Sequence, residues 1–329
     1  MDTILTIVKL LGGLGLFIYG MKLMGDGLEN AAGEGLKKIL EKVTKNPLIG
    51  VIVGAVVTMV IQSSSATTVM VVGFVNAGLM NLAQAAGIIM GANVGTTVTA
   101  QLVAFKLDDI APIFVFVGAM MVMFVKGKRR REIGSIILGF GILFVGMGTM
   151  SEAMKPLTSS PIFQDILTTV GSHWYLGLIA GALITAVLQS SSATTAILVA
   201  LASAGTIDMK IAFPIVLGCN IGTCVTAIIA SLGANRTAKK AALLHLSFNI
   251  FGTIIFLPLA SYIIKFVAFL NPDNLGRQVA NSHTIFNILI TLAVLPISNY
   301  FIKFINKILP ELPFLLLFNT NTHTGIPVP

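Results

Sequence analysis

The chain has 329 residues, of which 55% are hydrophobic and only 10% charged, and its mean hydropathy is +0.93. Soluble domains carry about a quarter charged residues, so this composition excludes a soluble globular protein and points to the bilayer as solvent. The formal net charge of +8 does not indicate a nucleic-acid binder, because the basic residues lie between apolar runs, in KGKRRRE (126–132), LKKILEK (36–42) and NRTAKK (235–240), as the loops of membrane proteins do on their cytoplasmic side.

The opening stretch, MDTILTIVKLLGGLGLFIYGMKLM, has no basic n-region and no small-residue cleavage site, and reads as a retained first span. Residues 27–45 set Leu28, Leu36, Leu40 and Val43 against several lysines, the pattern of an amphipathic helix lying on the membrane surface. A re-entrant hairpin is predicted over 47–80, bent at Gln62 to Ser65, followed by an interrupted span over 83–105 and full spans near 110–125 and 133–150. The second half repeats this plan, with a hairpin at 174–206, an interrupted span at 210–232, and spans near 240–262 and 283–308.

That plan rests on an internal duplication. QSSSATT occurs at 62–68 and again at 189–195, and GANVGTTVTA at 91 is matched by GCNIGTCVTA at 218, both at an offset of 127. Gly50, Gly54, Ala55 and Thr58 correspond to Gly177, Gly181, Ala182 and Thr185 at the same offset, while GLFIYGMKLM at 15 matches GILFVGMGTM at 141 at an offset of 126. A constant offset across separate motifs marks a repeat.

Corresponding loops carry opposite charge. Lys22, Lys37, Lys38, Lys42 and Lys45 in the first copy face Lys155 with Glu152 and Asp165 in the second, and Asp108 and Asp109 face Arg236, Lys239 and Lys240. Halves inserted upside down relative to each other produce this reversal. The expected fold is an all-α integral membrane protein with inverted-topology repeats, re-entrant helical hairpins and interrupted transmembrane helices. Repeat one is placed at 1–132, repeat two at 133–270, and an additional span with a C-terminal tail at 271–329.

Three consecutive serines compete with helix formation by bonding to nearby backbone, so each QSSS cluster is a place for a helix to break. A half-helix N-terminus suits an anion, and unwound carbonyls suit a small hard cation. The apolar stretches around the motifs hold no Arg or Lys to clamp an anion and no Asp or Glu to relay protons, which favours a co-bound cation such as sodium over proton coupling. Gln62 and Gln189 are placed to bridge hairpin to span, and the glycines beside Asn93, Thr96, Thr99, Asn220, Thr223 and Thr226 permit close helix approach. Cys219 and Cys224 read as apolar fillers, the four histidines form no metal-binding pair, and no transition-metal site is expected.

The duplicated QSSSATT with GANVGTT and GCNIGTC resembles the sodium-dependent phosphate cotransporters of the type II class and their bacterial relatives, over nearly the whole chain. The resemblance implies sodium-coupled symport of inorganic phosphate by alternating access, with Na+ as coupling ion, no other cofactor and no enzymatic activity. It implies phosphate on Ser63, Ser64, Ser65, Ser190, Ser191 and Ser192, with Asn93 and Asn220. Sodium falls on Gln62, Gln189, Ser192, Thr96, Thr99, Thr223 and Thr226.

His245 and Asn249 in HLSFN, and His283 and Asn287 in HTIFN, either face the central cavity or hydrogen-bond between helices, and the first half has no equivalent at the repeat offset. The expected location is the plasma (inner) membrane, multi-pass, in contact with lipid and not with nucleic acid. A homodimer is compatible with the sequence, as is a PhoU-like regulatory domain or protein outside this chain, the tail LPFLLLFNTNTHTGIPVP showing none. The competing readings are transport of another oxyanion, a phosphate receptor without flux, and an enzyme using a QSSS serine; against the last, neither a G-x-S-x-G elbow nor an acidic partner for a histidine is present.

Overall fold

The computed structural model describes residues 2–32, 46–105, 107, 109–154, 156 and 160–310. Most of the predicted surface helix at 27–45, with Lys37, Lys38, Lys42 and Lys45, lies outside the described residues, as do Lys106, Asp108, Lys155 and the C-terminal tail from 311. The described residues hold α-helices: α1 Asp2–Ala32, α2 Pro47–Ile61, α3 Ser64–Asn76, α4 Leu82–Val103, α5 Ala111–Phe124, α6 Lys128–Met154, α7 Pro161–Ser172, α8 Trp174–Leu188, α9 Ser191–Ser203, α10 Met209–Ser231, α11 Arg236–Phe256, α12 Ala260–Leu270, α13 Leu275–Val294 and α14 Ser298–Ile308.

Helices α1, α4, α6, α10 and the run 275–308 are long and apolar enough to cross a membrane, and two bent pairs raise the number to seven if each is one span. Large apolar side chains are exposed along these and the shorter apolar helices, among them Phe116, Phe124, Val187 and Phe269. In water such a surface would drive aggregation, whereas in lipid it is the ordinary boundary.

Both predicted hairpins form, and they form in identical register. The α2–α3 and α8–α9 pairs begin and end at positions related by the 127-residue offset. At each tip a glutamine, Gln62 or Gln189, turns the chain in the left-handed region at φ 58° and 53°. The next residue, Ser63 or Ser190, is extended and caps the second arm by accepting from Ala66 N at 3.1 Å or Ala193 N at 3.2 Å. A paired hydroxyl staple closes each hairpin, Thr58 donating to Thr67 and Thr185 to Thr194, both at 2.9 Å.

The GxNxGT segments depart from expectation. Helices α4 and α10 run unbroken through Asn93 and Asn220, because their glycines are used for close packing and their Asn and Thr side chains bond elsewhere. The interruptions fall at the hairpin tips and at two sharp bends, of 107° between α7 and α8 and of 84° between α11 and α12. Helices α7 and α12 were not anticipated. A signal for α7 exists in Ile162, Ile166 and Val170 behind Pro161, and Pro258 marks the second bend.

Small residues set the helix spacing. A Cβ added to Gly91 would lie 2.0 Å from the Val51 carbonyl oxygen, and its mate Gly218 would place one 2.1 Å from that of Leu178. Gly54 and Gly181 repeat this against Ile88 and Ile215, so α2 packs on α4 as α8 packs on α10, backbone to backbone. Helices α1 and α6 cross through Gly13 against Gly146 and Gly20 against Gly139. Those four are equivalents at the 126 offset, so this crossing relates the two copies by an approximate two-fold.

Candidate functional site

The two hairpin tips meet. Gln62, Ser63, Ser64, Ser65, Gln189, Ser190, Ser191 and Ser192, with Thr96 from α4, line one narrow cleft of about 10 Å³, and none of these lining side chains is charged. The N-termini of α3 and α9 both open onto it, each bringing the positive end of its peptide dipoles and amides that no intrahelical carbonyl can satisfy. Ser63 and Ser190 spend their hydroxyls on capping. Ser64 and Ser191 are buried and line the cleft, yet among the described residues their hydroxyls have no hydrogen-bond partner, which leaves them as donors toward the cleft. Two dipole ends and two uncommitted hydroxyls are an arrangement of neutral groups chemically able to hold an anion.

Contacts across the cleft tie the copies together. Ser65 donates to the Gln189 carbonyl at 3.1 Å, Thr96 and Ser192 share a hydrogen bond at 3.0 Å, and Thr226 reaches the Ser65 hydroxyl at 3.4 Å. Thr99 donates to the Gln62 side-chain oxygen at 2.7 Å, and the Gln62 amide turns back to the Met59 carbonyl. Seven oxygens from Gln62, Ser65, Thr96, Thr99, Gln189, Ser192 and Thr226 thus lie in three hydrogen-bonded groups, two pairs and a trio, of a type chemically suited to a hard cation.

Other expected residues lie outside the cleft lining. Thr223 bonds to the Cys219 carbonyl of its own helix at 3.0 Å, and Asn220 to the Val216 carbonyl at 2.9 Å. Asn93 belongs to a buried network: its amide donates to Asn249 Oδ1 at 3.1 Å and its oxygen accepts from His245 Nε2 at 3.1 Å. Asn249 in turn donates to the His245 carbonyl at 3.0 Å and to Cys224 Sγ at 3.2 Å. The HLSFN motif therefore holds helices together. No group of three His, Cys, Asp or Glu side chains forms a metal cluster among the described residues. The Thr58–Thr67 and Thr185–Thr194 staples were missed as partners, although Thr58 and Thr185 are visible in sequence as equivalents at the offset.

The bonding is unequal between equivalent positions, which gives a direct test. Replacing Thr99 by Val strands the oxygen of buried Gln62 and is expected to destabilise the protein by about 1–3 kcal/mol. Its mate Thr226 makes only a 3.4 Å contact, so Thr226→Val is expected to cost less than about 0.6 kcal/mol. Unfolding in sodium-free detergent buffer measures both, and equal losses would contradict the asymmetry.

The fold and this site define a multi-pass membrane protein with two helical hairpins meeting tip to tip around an uncharged polar cleft. The chain belongs to the Na+/Pi-cotransporter family, which it matches over residues 16–152 and again over 145–296; this is a transporter family and not an enzyme family. It is 34% identical to YqeW of Bacillus subtilis over 252 residues, covering 76% of this chain and 81% of that protein. It is 30% identical to YjbB of Escherichia coli (strain K12), provisionally named for inorganic phosphate export, over 77% of this chain but only 47% of that longer protein. Rat sodium-dependent phosphate transport protein 2A is 23% identical over 78% of this chain and 61% of its own length. No solved structure matches the chain.

Proposed function

We propose that this chain is a secondary active transporter that carries inorganic phosphate across the plasma membrane, coupled to sodium, by alternating access around the hairpin cleft. The observation that carries the reading is the convergence of two helix N-termini, with the free hydroxyls of Ser64 and Ser191, on a cleft without a fixed cation. An anion seat built from dipoles alone gains most from a co-bound cation, which offsets the anion's charge and links the two binding events. Phosphate is assigned to Ser63–Ser65 and Ser190–Ser192, and sodium to Gln62, Gln189, Ser192, Thr96, Thr99, Thr223 and Thr226. Asn93 and Asn220 are reassigned from the substrate to helix positioning.

The two copies are assigned as repeats at 1–132 and 133–270, with 271–329 added, and inserted in opposite senses. Contacts support the sidedness: Asn235 bonds to Asn76, putting the hairpin-one mouth at the same face as the basic loop at 235–240. Gln101 bonds to Asn281 and Thr284, marking the opposite face. The basic loops favour assigning the first face to the cytoplasm.

Radiolabelled phosphate uptake into proteoliposomes tests this, comparing an inward sodium gradient with an equal potassium gradient at fixed pH. Saturable, sodium-dependent uptake is expected. No flux under any sodium gradient, with binding retained in detergent, would leave a receptor. Export is a second reading, favoured by the name of YjbB, and efflux from phosphate-loaded vesicles that exceeds uptake under mirrored gradients would select it.

A further inference from the structure

The approximate two-fold of the core relates a pair of helices that the repeat offset does not. Helix α11 packs on α3, α4 and α10, and α13 packs on α9, α10 and α4, so the two occupy equivalent places in opposite copies. Their sequences agree at a different offset, of 38: His245 with His283, Phe248 with Phe286, Asn249 with Asn287, and Thr253 with Thr291, all buried. They meet each other at equivalent positions too, where a Cβ on Gly252 would stand 2.9 Å from the Ile290 side chain. The mate of Asn93 at the 127 offset is Asn220, on the helix that packs on α13 as the helix of Asn93 packs on α11.

Equivalent positions are bonded unequally. His245 and Asn249 hold Asn93 between them, and Thr253 donates to the Asn249 carbonyl at 2.9 Å. On α11 only His245 Nδ1 is buried without a partner among the described residues, whereas on α13 both ring nitrogens of His283, the Asn287 oxygen and the Thr291 hydroxyl are, and Asn220 is turned to its own helix. The inequality continues to the hairpins. Gln62 is buried and held by Thr99, whereas Gln189 is exposed and its side chain is unbonded, and Thr96 bonds Ser192 while Thr223 bonds its own helix. A sequence symmetric at all these places would gain equally from either arrangement, and a single structure satisfies only one.

We propose that His283 and Asn287 are the second seat of a two-position latch: in the opposite-facing state Asn220 swings from the Val216 carbonyl to His283 and Asn287, while Asn93 leaves His245 and Asn249. The four histidine and asparagine side chains of α11 and α13 are then positioning residues that set the balance between the two access states. The latch rests on the transport reading above. Buried polar groups with two discrete arrangements are the kind of element that both states can bias.

The test is the face from which a reporter cysteine is reached. Ser65→Cys is labelled in sealed proteoliposomes with a membrane-impermeant maleimide from either side; Cys219 and Cys224 are fully buried, and protein without the reporter sets the background. His245→Ala is expected to shift the ratio of labelling from the two sides by about three- to tenfold in one direction, and His283→Ala by a similar factor in the other. The double variant should return toward the starting ratio. A purely structural role moves both variants alike. Asn93→Ser and Asn220→Ser repeat the test from the other end of each bond if a histidine variant fails to fold. Anything other than opposed shifts overturns the latch. Phosphate uptake by protein without the reporter in parallel vesicles separates the outcomes: uptake without opposed shifts removes only the latch, and absent uptake removes the transport reading itself.

Discussion

Gly91→Ala and Gly218→Ala are each expected to abolish recovery of a monodisperse folded protein, or to lower its stability by about 3 kcal/mol or more, for the addition of one methyl group. The reason is what the methyl meets. At 2.0 Å and 2.1 Å the obstacle is a backbone carbonyl oxygen of the facing hairpin arm, which no side-chain rotation can move aside. Overpacking against yielding side chains costs about 1–3 kcal/mol; against backbone the helices themselves must separate, and the glycines at 54, 95, 181 and 222 lose their contacts with them. Gly12, Gly15 and Gly73 supply the control, since a Cβ there meets nothing within 4 Å. Alanine at these helical positions is expected to be neutral or to stabilise by about 0.5–1 kcal/mol. Size-exclusion profiles and thermal unfolding in detergent distinguish the two sets. Near-wild-type behaviour of Gly91→Ala would show that α2 and α4 do not pack at the distance the structure gives.

These glycines explain why some features were legible in the sequence and others were not. The offset of 127 aligns hydroxyls, glycines and apolar runs together, and so reveals two hairpins and the tips at which they turn. The same pattern misleads at GxNxGT: glycine beside Asn and Thr is equally compatible with a broken helix and with a continuous helix packed at backbone distance. Only the partner decides, and here Ala55 and Ala182 present their carbonyls to Gly95 and Gly222. The relation of α11 to α13 is hidden for another reason. It joins elements that the duplication did not produce as a pair, so HLSFN and HTIFN look like an isolated recurrence until both are seen packing against α4 and α10. Charge patterning gave the opposed senses of the copies, but several of the lysines that carry it, Lys37 to Lys45, fall outside the described residues.

Ser64→Ala combined with Ser191→Ala is expected to raise the phosphate KM by at least about 100-fold while leaving the protein folded. Each hydroxyl is buried at the N-terminus of a hairpin arm, lines the cleft and has no partner among the described residues, so its removal strands nothing there and alanine is the better helix former. What is lost is a hydrogen bond to a charged ligand, worth about 1.5–3 kcal/mol, or roughly 10- to 100-fold in affinity per residue. The neighbouring serines predict a different signature. Ser63 and Ser190 cap their helices at 3.1 and 3.2 Å, so Ser63→Ala and Ser190→Ala should each lower stability by about 1 kcal/mol. Uptake kinetics and unfolding midpoints on the same preparations separate affinity from stability. If the Ser64/Ser191 double variant kept its KM, the anion would have to be held by the helix amides alone or at another place, and the convergence of the two tips would be packing only. A loss confined to kcat would instead place the hydroxyls in the passage between states, since interactions equal in the ground and transition states change KM and not turnover.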